Sequence, residues 1–263
     1  MKIELNMLQR NLATVRMCAT QSFDGNFLFV FAGYAVRLVR MAILIAVFRS
    51  LPPNEGMSFT QMLTYTVLAS ALSEQLYFDT PATTALWEGS IVGRFTRPVP
   101  VLSNLVAETI GRWFPSLIFY TVPVCVAASF FGVRLLPLNT VRGLLFIVSL
   151  QLSISLGFAV DFIFSSIAMR LKNGCWAALA VREAVTALFS GLLVPFALLP
   201  KGVADVLSLL PFGSLASAPL SIFVGTGDPF RLIGFSLFWN VVLWPTSVAF
   251  FWKSRDKMIS YGG

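Results

Sequence analysis

The sequence predicts an all-α polytopic membrane protein. It would have six transmembrane helices, an N-terminal amphipathic interfacial helix, and re-entrant half-helices between spans five and six. Three observations predict this. First, hydrophobic residues make up 57% of the 263 positions and charged residues only 12%, with a mean hydropathy of +0.80. A soluble domain carries about 25% charged residues, so this chain could not cover a water-facing surface. Second, apolar runs of about 20 residues recur, the length a helix needs to cross a ~30 Å bilayer core. Third, turn-forming clusters separate several of these runs: "LPPNEG" at 51–56, "LLPLNT" at 135–140 and "GTGDP" at 225–229. No linker, charge block or internal repeat divides the chain, which predicts one membrane domain over 23–263 after an interfacial segment at 1–22.

In the first segment, Met1, Ile3, Leu5, Leu8, Leu12, Val15 and Met17 recur at helical spacing, with Lys2, Arg10 and Arg16 between them. That pattern fits a helix lying in the interface, or else an inward extension of the first span. It lacks the early apolar region and small-residue cleavage site of a signal peptide. Spans are expected at 26–48, 59–78, 110–131, 143–169, 183–199 and 232–252. Pro115 and Pro123 are expected to kink the third, and Pro195 the fifth. The stretch 201–231 is too apolar for a plain loop, yet Pro211, Gly213, Pro219 and Gly225 break it too often for a span. Half-helices buried in protein fit it, with a seventh span as the other reading.

The net charge of +7 and pI near 9.7 do not point to nucleic acid. The basic residues sit in short segments between apolar runs, where they set orientation. With the N-terminus inside, the inner segments hold Lys2, Arg10, Arg16, Arg94, Arg97, Arg170, Lys172, Arg182, Lys253, Arg255 and Lys257. The outer segments hold Arg49, Arg134, Arg142, Lys201 and Arg231. Both termini are therefore expected in the cytoplasm, in a multi-pass protein of the plasma (inner) membrane.

Much chemistry is excluded. There is no histidine, hence no His-based zinc site and no Ser-His-Asp hydrolysis. Cys18, Cys125 and Cys175 show neither metal spacing nor an even-numbered framework and read as packing residues. No lysine follows a glycine, so the chain has no phosphate-binding P-loop. No metal site and no cofactor of its own are expected, and the scattered acids argue against an enzyme.

Three sets of charged residues remain as candidates. "WEGSIVGRFTRPVPVL" at 87–102 sets Glu88, Arg94 and Arg97 among glycines and prolines, between two very apolar runs and on the expected cytoplasmic side. Arg37 and Arg40 fall near the middle of the first span, three apart and so on one helix face, where a charge costs ~2.5–3.5 kcal/mol on insertion scales. They read as a cationic stripe facing a transport path, as snorkelling groups, or as partners of a carboxylate. Glu74, Glu108 and Asp161 are the candidate carboxylates. Glu108 and Arg112 are four apart in the favourable order and are expected to pair. Asp161 has no local basic partner, and reads as a path residue or as half of a pair with another helix.

Four stretches then carry a resemblance: "FTQMLTYTVLASALSE", "LWEGSIVGRFTRPVPVLSNLVAETIG", "VPFALLPKGVADVLSLLPFGSLASAPLSIFVG" and "LFWNVVLWPTSVAFFWKSRDKMISYGG". From about residue 5 to its end the chain resembles the ABC type-2 transporter permease family, in particular the small six-span subunits of its viologen-exporter-like branch. The family's Gly and basic-Pro pair fall on Gly89, Arg97 and Pro98. Its Pro-Phe, Pro and Gly fall on Pro211, Phe212, Pro219 and Gly225, and its closing double glycine on Gly262 and Gly263.

The resemblance implies a transmembrane permease subunit of an ATP-driven exporter. It implies a second permease subunit, identical or related, and a pair of ABC ATPase subunits that bind ATP and Mg. Residues 84–96 would form a short helix parallel to the membrane. Glu88 would face the ATPase, Arg94 and Arg97 the lipid headgroups, and Arg97-Pro98 would turn the chain back. Arg37 and Arg40 depart from the family pattern, which is more often apolar there. As path residues they suit an acidic or phosphate-bearing cargo. A secondary transporter or channel working without an ATPase is the alternative.

Overall fold

The computed structural model describes residues 2–23, 27–50, 56–97, 99–130, 133, 135–137, 139–171 and 175–260. Every regular element among them is helical. In chain order these are α1 (Lys2–Phe23), α2 (Phe27–Ser50), α3 (Phe59–Ala71), α4 (Ser73–Leu76), α5 (Ala82–Trp87), α6 (Ile91–Phe95) and α7 (Val101–Ser116). After a π-helical turn (Leu117–Thr121) come α8 (Val122–Phe130), α9 (Thr140–Arg170), α10 (Cys175–Phe189), α11 (Lys201–Leu209), α12 (Ser217–Val224) and α13 (Pro229–Ser260).

Several starts are written in local chemistry. Ser58 and Gln61 form a reciprocal capping box on α3, at 3.3 and 2.9 Å. The Asn139 side chain accepts the Arg142 N–H at 2.7 Å and starts α9. Asp228 accepts the Phe230 N–H at 3.1 Å, and Pro229 opens α13 where its missing donor is harmless.

The helices α9 and α13 form the central pair. Each is about 46–48 Å long, ample for a ~30 Å core. They run parallel: Asn240 donates to the Leu152 carbonyl at 3.0 Å, and Trp244, one turn on, to Ser155 at 2.8 Å. The buried stripe of α13 is Ser236, Asn240, Ser247, Phe251 and Ser254. The helix α9 buries Ser149, Ser153, Ser165 and Ser166 in turn. Small side chains of this kind let two backbones approach where hydrophobic burial cannot drive association.

Among the described residues, four helical stretches are long and apolar enough to cross a membrane: Val30–Ser50, Val101–Phe130, Thr140–Arg170 and Pro229–Asp256. The two other expected spans are interrupted. The run at 59–78 breaks at Leu72 into α3 and α4. The run at 183–199 leaves the α-helix at Phe189, ahead of Pro195, and ends in a 3-10 turn at Phe196–Leu198. Within 201–231, α12 is a short helix with seven of its eight residues buried, packed on α9, α3 and α13. Residues 51–55 of the expected turn cluster and the closing Gly262-Gly263 lie outside the described residues.

Between Pro115 and Pro123 the π-helical turn sets Tyr120 and Thr121 toward the end of α3. The Thr121 hydroxyl donates to the Ala71 carbonyl at 2.6 Å, and the Tyr120 and Ser70 hydroxyls share a hydrogen bond at 2.5 Å. The helix α1 lies along α7, with Cys18 buried at the contact and Leu8, Leu12 and Met17 exposed. The two backbones meet at Gly111, where a Cβ would fall 2.7 Å from both the Cys18 Cβ and the Val15 carbonyl oxygen. Gly111→Leu is therefore expected to cost about 1–3 kcal/mol by overpacking. In detergent it should lower the thermal midpoint and speed proteolytic removal of α1. Gly33→Leu, at a position where a Cβ meets nothing within 4 Å, should change neither.

Candidate functional site

Residues 82–97 sit at the end of the bundle where α7 begins and α9 and α13 finish. Ala82, Ala85 and Ile91 are buried there with Leu105, Phe162, Met169 and Phe251 in one apolar cluster. Phe95 lies against Phe251 and Trp252, with ring centroids 6.2 and 6.4 Å apart. The segment is two short helices, α5 and α6, rather than one continuous helix over 84–96. The reason is Gly89, whose φ of 72° lies in the left-handed region open to glycine at little cost.

The charged residues of the segment divide by environment. Glu88, at the C-terminal cap of α5, is exposed and makes no ion pair among the described residues. Arg94 turns inward and grips Glu108 with both Nη atoms, at 2.5 and 3.3 Å. Arg112, the expected partner of Glu108, stands 4.0 Å from Oε1, the oxygen that Arg94 Nη2 also reaches. Arg97 is exposed, and Pro98 lies outside the described residues. Beside Glu88, the exposed Trp87 meets the exposed Trp176 of α10 edge-on at 5.7 Å.

Arg37 is not free. It pairs with Glu74 of α4 and reaches Ser116 Oγ at 3.4 Å. Its guanidinium lies 5.8 and 5.6 Å from the Tyr34 and Tyr120 rings, which stack on each other at 5.3 Å. Arg40 is exposed and has no ionic partner among the described residues. Both arginines line a small cavity of about 40 Å³ with Tyr65, Thr66, Ser70 and Ser73. On the neighbouring side of α2, an apolar cleft of about 750 Å³ opens between α2, α3 and α8.

Asp161 is the most enclosed charge, with a side chain 1% exposed. Its partner is Arg182 of α10, 4% exposed, whose other Nη atom reaches Asp79 at 3.3 Å. The Thr80 hydroxyl and, at 3.4 Å, its backbone N–H also donate to Asp161. Sequence reasoning did not find Arg182, Asp79 or Thr80. One signal was available: Asp161 lies nine residues before the end of α9 and Arg182 seven after the start of α10, so packing these two helices together brings the residues close.

These features define a multi-helix membrane protein with a charged, Gly-broken segment at one end and paired charges inside. The chain belongs to the ABC-2 transporter family: the family model described as "ABC-2 family transporter protein" matches residues 35–262. No individual curated protein matches it. It is thus a transmembrane permease component of the ABC transporter type.

Arg182→Gln would strand the Asp161 charge in the core and is expected to cost about 3–5 kcal/mol. The double variant Asp161→Asn/Arg182→Gln should cost less than either single change. Denaturation midpoints of the four proteins in detergent check this, and additive losses would mean that the two groups are not coupled.

Proposed function

We propose that this chain is the permease subunit of an ATP-binding-cassette exporter. It forms half of a substrate path and couples to a separate ATPase subunit that holds ATP and Mg. Two permease subunits, identical or related, enclose the path, because six spans enclose little volume. The observation that carries the reading is the segment α5–α6 in a member of the ABC-2 family. It is fastened to the bundle through its apolar side and through Arg94, and it leaves Glu88 outward at a glycine turn.

In this reading Glu88 and the exposed Arg97 meet the ATPase and the headgroups, while Arg94 braces the segment from behind. The end bearing α5 and α6 is cytoplasmic. Arg97, Arg170, Lys253 and Arg255 cluster there, as the inner face of a plasma (inner) membrane requires. Both termini are then inside and α1 lies at the inner interface. The interrupted runs α3–α4 and 175–199 complete six crossings, and α12 is a re-entrant half-helix. With Arg37 offset by Glu74, Arg40 is the cation available to an acidic or phosphate-bearing cargo. The adjoining cleft is within the ~300–1,000 Å³ range of small-molecule sites and suits the apolar part of such a cargo. Asp161, matched by Arg182, is better placed to hold helices together than to meet cargo.

Co-expression with a cognate ABC ATPase followed by purification tests this. A stable complex that hydrolyses ATP is expected, and Glu88→Ala/Arg97→Ala should weaken it on the order of tenfold, the loss of ~1.4 kcal/mol at a docking contact. A chain that is stable alone and captures no ATPase would instead be a channel or secondary carrier.

A further inference from the structure

The link from α4 into α5 is stapled to α9 on two successive turns. The Phe78 ring, 5% exposed, lies against the α9 backbone at Gly157, where any Cβ would run into it. One helical turn further along α9, Asp161 receives Thr80 through both its hydroxyl and its N–H. The Thr80 oxygen in turn accepts the N–H of Ala82, the first residue of α5, at 3.4 Å. Arg182 holds the other Asp161 oxygen and bridges to Asp79. Three consecutive residues leading into α5 are thus bonded or packed onto both helices of the α9–α10 hairpin.

These contacts differ in kind from the rest of the α5 surface. Ala82 and Ala85 present small apolar faces, which can slide with little penalty because dispersion contacts are weak and non-directional. The hydrogen bonds at Thr80 are directional, and Thr80 is 1% exposed, so no water can replace a stretched bond there. At its other end the segment is anchored by Arg94 to Glu108 on a different helix, α7. The segment is therefore held at both ends and free at Glu88, an arrangement that behaves as a lever with two distinct outputs.

We propose that Thr80, Asp161 and Arg182, with Asp79 at the solvent edge, form the joint that delivers displacement of α5–α6 to α9 and α10. Thr80 and Arg182 are its positioning residues. The proposal rests on the coupling role given above to residues 82–97. A push on Glu88 tilts α5. Its first turn moves with Ala82, and Thr80 carries the movement to Asp161 and hence to Arg182 on α10.

The test uses the full chain in complex with its ATPase, in phosphatidylethanolamine–phosphatidylglycerol vesicles. The three native cysteines are replaced, and spin labels are placed at the exposed Leu188 on α10 and Phe238 on α13. Their separation is measured by electron double resonance without nucleotide and after trapping with ATP and vanadate. Thr80→Val removes the hydroxyl and keeps the Asp161–Arg182 pair, and Thr80→Ser keeps the hydroxyl. Wild type and Thr80→Ser should change distance on trapping. Thr80→Val should still bind the ATPase and hydrolyse ATP, with the shifted population reduced on the order of tenfold, the factor set by a hydrogen bond to a charged group. Asp79→Asn, which alters the half-exposed end, should give an intermediate loss. A full shift in Thr80→Val overturns the joint. So does an immobile α10 in the wild-type complex, or loss of ATPase binding in Thr80→Val alone. Failure of the wild type to bind any ATPase overturns the coupling role itself, and the joint with it.

Discussion

Arg182 and Asp161 meet where neither can reach bulk water, and the elements around them are arranged on those terms. Taking a charge out of water costs several kcal/mol, so each ion needs a partner and further hydrogen bonds. Asp161 gets them from Arg182 and Thr80, and Arg182 from Asp161 and Asp79. That requirement fixes the closeness of α9 and α10 and the path of the chain into α5. Arg37–Glu74 and Arg94–Glu108 follow the same logic at less enclosed positions. Each pair joins elements near in sequence, α2 to α4 or α6 to α7. The distant pair α9–α13 is joined without an ion pair among the described residues, by neutral hydrogen bonds, small side chains and Arg170, which donates to Ser254 at 2.8 Å.

The interrupted helices meet a related demand. A carbonyl left without its helical donor in an apolar surround costs several kcal/mol, so irregular backbone persists there only if protein groups satisfy it. Here side chains do so one by one. Thr121 serves Ala71, Tyr65 serves Gly191 at 2.7 Å, Ser153 serves Leu215, and Trp239 serves Leu209 at 2.9 Å. Thr121, Ser153 and Trp239 donate from the long runs, and Tyr65 from the interrupted helix α3. Places where the backbone departs from regular form coincide with polar side chains that look out of place in apolar runs.

Much of the architecture was legible because it rests on local rules. Long apolar runs marked the long helices, and the turn-forming clusters at 135–140 and 225–229 marked breaks between them. Family membership was legible too, from ordered glycine and proline markers. The breaks at Leu72 and after Phe189 were not. Neither position carries a proline, and each break is stabilised by a hydroxyl supplied from elsewhere in the fold. Arg94 illustrates the same limit. Its sequence neighbours suggest a surface cation, whereas its partner Glu108 is chosen by the turn between α6 and α7. Arg112 sits at the right helical spacing, but Arg94 offers the closer, two-pronged contact.

The π-helical turn at 117–121 has a consequence for register. An α-helix turns about 100° per residue, so one extra residue in a turn rotates everything beyond it by that angle. Pro115 and Pro123 already deny the helix two donors, which lowers the penalty for leaving the regular pattern between them. The run from Val101 to Phe130 is therefore one rod with two phases. Its first phase presents Gly111 to α1, and its second presents Tyr120, Val124 and Ala128 to α2 and α3. A single uninterrupted helix could not serve both neighbours without re-spacing its residues. One inserted residue lets a single crossing address two separate sides of the bundle.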